Sequence, residues 1–258
     1  MKFNNVNVFI SKNARLGKNV KVGDNTVIYE NVVIGDDVTI SNNCVIGEPT
    51  SEYYSDSCYS NKQTFIGSNS LIRSHTIIYA GCTIEEDFFT GHRVTIRENT
   101  KIGKKCRIGT LSDLQGHLEM GDYCWLHSNV HLGQGTKLGH FVFIYPFVVL
   151  TNDPTPPSNI CKGVNVGNFS QIAVNSTVLP GINIGKHVLI GANSLVVKNI
   201  KDYILCAGNP AKEIKKVTEI KSRESGKIHY PWPYNFDRGM PWKGIGFDEW
   251  LKNNPKYD

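Results

Sequence analysis

The chain has 258 residues, a formal net charge of +5 and a sequence pI near 8.7. That length allows one or two domains; the mild, dispersed basicity argues against nucleic acid and suits small anionic partners. No apolar run approaches a membrane span, and the N-terminal MKFNNVNVFI has neither a basic start nor a long apolar stretch, so a cytoplasmic protein is expected.

An aliphatic residue recurs at every sixth position from Ile10 through Leu16, Val22, Ile28, Ile34 and Ile40 to Ile46. A period of six fits neither the 3.6-residue helix nor the heptad. It predicts short strands joined by tight corners, a parallel β-helix of hexapeptide repeats. Three hexads would close one triangular coil of 18 residues, each aliphatic side chain stacking on its copies above and below. Two further columns agree. The residue three on is Asn19, Asn25, Asn31, Asp37 and Asn43 in successive hexads, at a turn where left-handed backbone is tolerated. The residue four on is small, as in Val20, Thr26, Val32 and Cys44, because a crowded vertex admits nothing larger.

Residues 47–65 (GEPTSEYYSDSCYSNKQTF) interrupt the series. Ile46 and Ile66 are 20 residues apart, not a multiple of six, so a tyrosine-bearing loop must project. The series then runs from Ile66 to Leu150, with Thr90 its one non-aliphatic member. Residues 151–159 (TNDPTPPSN) form a second loop, stiffened by three prolines, after which the series restarts at Ile160 and ends at Val196. Insertions in repeat proteins project as surface loops, often on the binding face. Of seven cysteines, Cys44, Cys82, Cys106 and Cys124 fall in the inward column and read as small core filler. Residues 211–224 predict a short charged helix after Pro210. The tail, with Tyr230, Trp232, Tyr234, Phe236, Trp242, Phe247 and Trp250, is expected to cap the open end of the coil or pack on its side, the alternative being that it stacks on a nucleobase of a ligand. The expectation is an all-β, left-handed parallel β-helix over 1–200, with a C-terminal helix and aromatic tail over 201–258; the hand comes from the resemblance that follows.

The stretch LPGINIGKHVLIGANSLVVKNIKDYILCAGNPAK, Leu179 to Lys212, resembles the closing signature of the hexapeptide-repeat acyltransferases. The middle of the chain, at QGH (115–117), HSNVHLGQ (127–134) and LTNDP (150–154), is similar to the nucleotide-sugar N-acetyltransferases that modify dTDP-3-amino-3,6-dideoxyhexoses and related amino sugars. The resemblance implies a homotrimer with active sites between subunits and acetyl-CoA as co-substrate. It also implies an acceptor amine on a dTDP- or UDP-linked amino deoxysugar, in glycan-precursor (lipopolysaccharide) biosynthesis.

Acetyl transfer needs a nucleophile, a place for its proton and donors for the carbonyl oxyanion. By register, Gln134 stands where several members of the family carry a catalytic histidine, and Gln is no base. His117, His131, Asn152 and Asp153 are then the candidate catalytic residues. His127 and His131, at plus-one and plus-five, should face outward. The resemblance brings His117, Asn152 and Asp153 to the sugar amine, with Gln134 nearby. It puts the pantetheine arm along Gly191 and Ala192, CoA phosphates at Lys198 and Lys212, and sugar-nucleotide phosphates at His92 and Arg97, since a guanidinium suits phosphate geometry. A neutral amine attacks without a base, whereas a hydroxyl needs one, worth roughly 10²–10⁴-fold, so Gln134 favours N-acetylation. Two other enzyme readings are O-acetyl transfer with His117 or His131 as base, and a metal-dependent hydratase resembling the γ-carbonic anhydrases. The latter needs three histidines on a metal, and the spacing here does not match that family; no zinc-type CxxC pair occurs either. A non-catalytic scaffold is the remaining alternative.

Overall fold

The computed structural model describes residues 3–257. Most of them wind into a triangular coil of mostly two-residue strands lying on three sheets of ten, nine and eleven strands, here faces A, B and C in chain order. Pairing within the coil is parallel, and equivalent positions one turn apart stack in register: Thr95 on Asp113, and Asp113 on His131. Each backbone N–H of a strand thus finds a carbonyl of the next coil, and the ladder meets the main-chain hydrogen-bonding requirement without helices.

The corners explain why these residues coil. Every plus-three residue from Asn19 to Asn43, with Asn69, Asp87, Asn99 and Asn129, has φ between 55° and 59°. Their side chains ladder along the edges, as in Asn19 to Asp37 at 3.1 Å and Asn175 to Asn193 at 2.6 Å. Less suited residues take the same conformation: His75, Leu111, His117, Tyr123, Phe141, Phe147 and Phe169 have φ of 52–61°, a position that costs a bulky side chain about 1–2 kcal/mol. Inside, Ile28, Ile40, Ile46, Ile66, Ile72, Ile78 and Ile84 are fully buried, each worth roughly 1.5–3 kcal/mol relative to exposure. Cys44, Cys82, Cys106 and Cys124 are buried among them, and burial pushes the Cys82 thiol up to about 12.

The structure departs from the sequence expectation in four places. Ile160 does not re-enter the core; it is 50% exposed, and the coil resumes with Val166, which stacks on Leu138. The proline excursion is therefore longer than 151–159. The coil also continues past Val196, because Ile200 bridges to Ile184 and Cys206 pairs with Ile190; both steps are shorter than three hexads and so escape a six-residue reading. Residues 211–224 form no α-helix: Ala211–Lys216 pairs antiparallel with Ile204–Gly208, turning at Gly208 with φ of 106°, and one 3-10 turn, Val217–Glu219, follows. The free edge of the last coil strand supplies hydrogen-bond partners that a short, charged, unpacked helix would lack. The α-helix, α1, is Phe247–Asn253.

The tail packs on the side of the coil rather than over its end. Tyr123, Phe141, Phe169, His187 and Tyr203 stack along the edge between faces B and C, with centroids 4.7–5.0 Å apart. Trp232, Trp242, Phe247, Trp250 and Tyr257 bury themselves against this ladder. The Trp232 indole N–H donates to the Phe169 carbonyl at 2.8 Å, and the Tyr257 hydroxyl donates to Asp122 at 2.7 Å.

Candidate active site

Both loops leave the coil at one edge. Glu48 and Leu150 each end a strand of face A, so the loops project from the corner between faces A and B. Four rungs of face A lie between them, ending at Tyr79, Ile96, Leu114 and Leu132. At about 4.8 Å per rung the loops stand roughly 24 Å apart, two walls on one edge. Asn99, His117 and Gly135 line the corner between them; Arg97 and Gln115 lie just inside it.

The first loop roofs a cavity of about 380 Å³ lined by Thr50, Glu52, Tyr59, Lys62, Arg97 and His117, among others. The loop is tied down by the Thr50 N–H donating to the Tyr59 hydroxyl at 3.1 Å and the Asn61 amide donating to the Gly47 carbonyl at 2.8 Å. Arg97 holds Glu98 through two bonds of 3.0 Å and lies over the Tyr79 ring, 5.6 Å from its centroid. His117 is exposed, with Nε2 3.5 Å from the Asn99 amide.

On face A beside this edge the structure builds a pair that the sequence reading missed. His131 Nδ1 lies 3.2 Å from Asp113 Oδ2, and both side chains are about 40% exposed (42% and 38%). The Gln115 amide donates to the same carboxylate at 2.5 Å. The hydrogen bond from His131, with that from Gln115, holds the Asp113 carboxyl below its usual range despite partial burial. A carboxylate fixed on Nδ1 selects the tautomer that leaves Nε2 as acceptor, and that nitrogen has no partner among the described residues. The pair was available in the sequence: Asp113 and His131 are 18 residues apart, one turn, so both occupy the same outward position in neighbouring coils.

The second loop uses its candidates differently. The Asp153 carboxylate accepts from the Thr155 and Ser158 N–H groups at 3.0 and 2.8 Å and from the Ser158 hydroxyl at 2.6 Å. The Ser158 hydroxyl is the main cause of its lowered pKa, and these bonds hold the loop's shape. At the loop base the Asn152 amide donates to Cys161 Sγ at 3.6 Å, and the Cys161 thiol donates to the Gln134 carbonyl at 3.4 Å. Gln134 and Asn152 thus meet through Cys161, which no motif or repeat position marks in the sequence.

The other candidates divide between two edges. Gly191, Ala192 and Lys212 gather at the C–A edge by the terminal hairpin: the Gly191 N–H donates to the Cys206 carbonyl at 2.8 Å, and Ala207 pairs with Lys212. Lys198 follows a strand of face A and sits at the A–B edge instead. His92, bonded to the Ser74 hydroxyl at 2.8 Å, lies on the C–A edge and Arg97 on the A–B edge, so within one chain face A separates the two residues expected at one phosphate.

Residues 7–48 match the family model of the bacterial transferase hexapeptide (six repeats), and residues 181–197 match that of the hexapeptide repeat of succinyl-transferase. Among solved structures, the UDP-N-acetylglucosamine acyltransferase of Arabidopsis is similar with a TM-score of 0.67 at 15% identity, over 96% of this chain and 88% of that one. The UDP-N-acetylglucosamine acyltransferase of Bacteroides fragilis gives 0.48 at 19% identity, over 84% and 74%. PerB of Caulobacter crescentus, solved with CoA and GDP-perosamine, gives 0.25 at 22% identity, over 59% of each chain. No curated protein matches the sequence. The chain carries the hexapeptide repeat over the residues these models match and the left-handed coil over most of its described length.

Proposed function

We propose that the protein is an acetyl-CoA-dependent acyltransferase that acetylates the amine of a nucleotide-linked amino deoxysugar. The observation that carries this reading is the His131–Asp113 pair beside an edge walled by two loops that also presents Arg97 and His117. The acceptor nitrogen attacks the thioester carbonyl while His131 Nε2 accepts a proton from it. The tetrahedral intermediate then expels CoA as its thiolate, and the imidazolium returns the proton to sulfur. Asp113, kept ionised at neutral pH, fixes the ring and stabilises its cationic form. His117 and Asn152 orient the sugar, and Asp153 acts by holding the second loop.

Gly191, Ala192 and Lys212 form the acetyl-CoA contacts in this reading, and the homotrimer reunites the separated groups. Face B is polar at Arg15, Lys101, Glu119, Lys137, Asn165 and Asn183, all exposed. Face A presents Val27, Val45, Ile77, Thr95, Val149 and Leu195, all partly exposed. Turning face A toward a threefold axis sets the A–B edge of one protomer against the C–A edge of the next, a closed heterologous ring. Arg97, His117 and His131 then share a cleft with His92, Gly191 and Ala192 of the neighbouring subunit, while Lys198 joins that subunit's CoA site.

The pair also favours a second reading. The preference for an amine rested on Gln134 replacing a base, and a histidine aligned by a carboxylate serves a hydroxyl equally well, which makes O-acetyl transfer the alternative. Acetyl-CoA-dependent thiol release against dTDP- and UDP-linked 3-amino and 4-amino deoxysugars and their hydroxyl counterparts separates the two. Turnover of amino sugars alone supports the proposal; turnover of hydroxyl sugars alone replaces it; silence across the panel refutes both.

A further inference from the structure

Face C carries a groove of which the chemistry above uses only His92, at its rim. Its outward plus-one column reads Arg73, Gly91, Gly109 and His127 in successive coils. The two glycines are required by close approach: a Cβ on Gly91 would stand 2.4 Å from the Thr110 nitrogen, and one on Gly109 2.4 Å from the His127 carbonyl carbon. They leave a bare floor two rungs long between Arg73 and His127. The result is a cavity of about 320 Å³ walled by Arg73, Phe89, His92, Arg107, Thr110 and His127, among others.

Both arginines are held in place and neither is neutralised. The Arg73 guanidinium lies over the Phe89 ring at 5.2 Å and that of Arg107 over Trp125 at 4.6 Å. Among the described residues neither has a carboxylate partner, and Arg73 Nε is buried with no hydrogen-bond partner. A buried guanidinium N–H without an acceptor is costly, and its natural complement is an anion that takes two N–H bonds at once. The tail covers the upper part of face C, where Trp232 packs on Phe143. The groove lies below, open toward the C–A edge.

We propose that this groove binds the diphosphate of a nucleoside diphosphate, the activating group of the acceptor. Arg73 and Arg107 bracket the two phosphates, and His92 and Thr110 supply further donors from the edge. The inference rests on the acceptor being nucleotide-linked, and it places His92 with Arg73 and Arg107 rather than with Arg97. CoA also carries an adenosine diphosphate unit, so the test must tell the two sources apart.

Calorimetric titration of dTDP, UDP and CoA into the wild-type chain, Arg73→Gln, Arg107→Gln and Arg107→Lys does so without turnover. Loss of a charge-assisted bond predicts dTDP or UDP binding weakened on the order of 10–100-fold in each Gln variant. Arg107→Lys should lose less, and CoA affinity and oligomeric mass should be unchanged. Wild-type protein that binds no nucleoside diphosphate, Gln variants that bind it undiminished, loss confined to CoA, or loss of the assembly in the variants would each overturn the proposal. Acetyl transfer is followed separately: binding without transfer counts against the enzymatic reading alone, and transfer indifferent to the arginines counts against the groove alone.

Discussion

Asp113 and His131 show what one residue in the right coil contributes. The carboxylate holds Nδ1, and Asp113→Asn should leave the ring in place without its charge partner. The kcat/KM is expected to fall about 10–100-fold as the imidazolium loses its stabilisation; an unchanged value would exclude the pair from the reaction. The same residues set an acid limit on stability. The Asp113 carboxyl is lowered by the His131 hydrogen bond; burial pushes Asp122 up, but the Tyr257 hydroxyl, the Lys104 N–H and nearby His140 and Lys256 outweigh it and lower it. Folded values below unfolded ones mean a contribution fully present above the unfolded pKa, near 3.9, and lost as the pH falls through the folded values. The thermal midpoint should drop below about pH 4, and less so in Asp122→Asn; a midpoint flat from pH 6 to pH 3 would contradict this. Both groups are partly exposed, so solvent screens each contribution.

At the scale of the strand, stability follows position in the stack. Ile96 is fully buried with a coil on either side, whereas Ile10 is 40% exposed in the first coil. Ile96→Ala should cost about 2–5 kcal/mol and Ile10→Ala under about 1 kcal/mol, read from urea unfolding midpoints; equal costs would argue against a nearest-neighbour stack. These elements are also where the sequence was most legible. Three columns of one repeat fixed strand, corner and core together, because each answers to a different constraint: burial, backbone handedness and vertex volume. Legibility failed where the step changed. Ile160 has the residue type of the core column but lies inside an excursion, and Ile200 and Cys206 belong to the core but fall off the period. At 211–216 the pairing partner is the end of the coil, which no local periodicity reports. Within the site, His117, Arg97 and both loops were visible, and the structure places them on one edge. The Asp113–His131 pair was hidden only because contacts one turn apart went unread, and the grouping around Cys161 required the path of a loop.

The whole molecule has one face for solvent and one for company. Face B is polar over its middle and upper rungs, at Lys101, Glu119, Lys137, Asn165 and Asn183, the aromatic tail covers the upper part of face C, and face A presents Val27, Val45, Ile77, Val149 and Leu195 beside Asp113 and His131. Light scattering should therefore give three times the 28.8 kDa chain mass. Ile77→Lys, which puts a charge on face A, should reduce that mass, and Lys101→Glu on face B should not. A monomeric wild type, or dissociation caused by the face B change, would contradict the arrangement in which two different edges complete each site.

The central claim is that transfer takes place on the A–B edge with His131 as proton acceptor. The most direct measurement is the kcat/KM of acetyl-CoA-dependent thiol release by His131→Ala beside wild type on the best acceptor found. The account predicts a loss on the order of 10²–10⁴-fold with assembly intact. A variant that retains the wild-type value would show that the pair stands outside the chemistry.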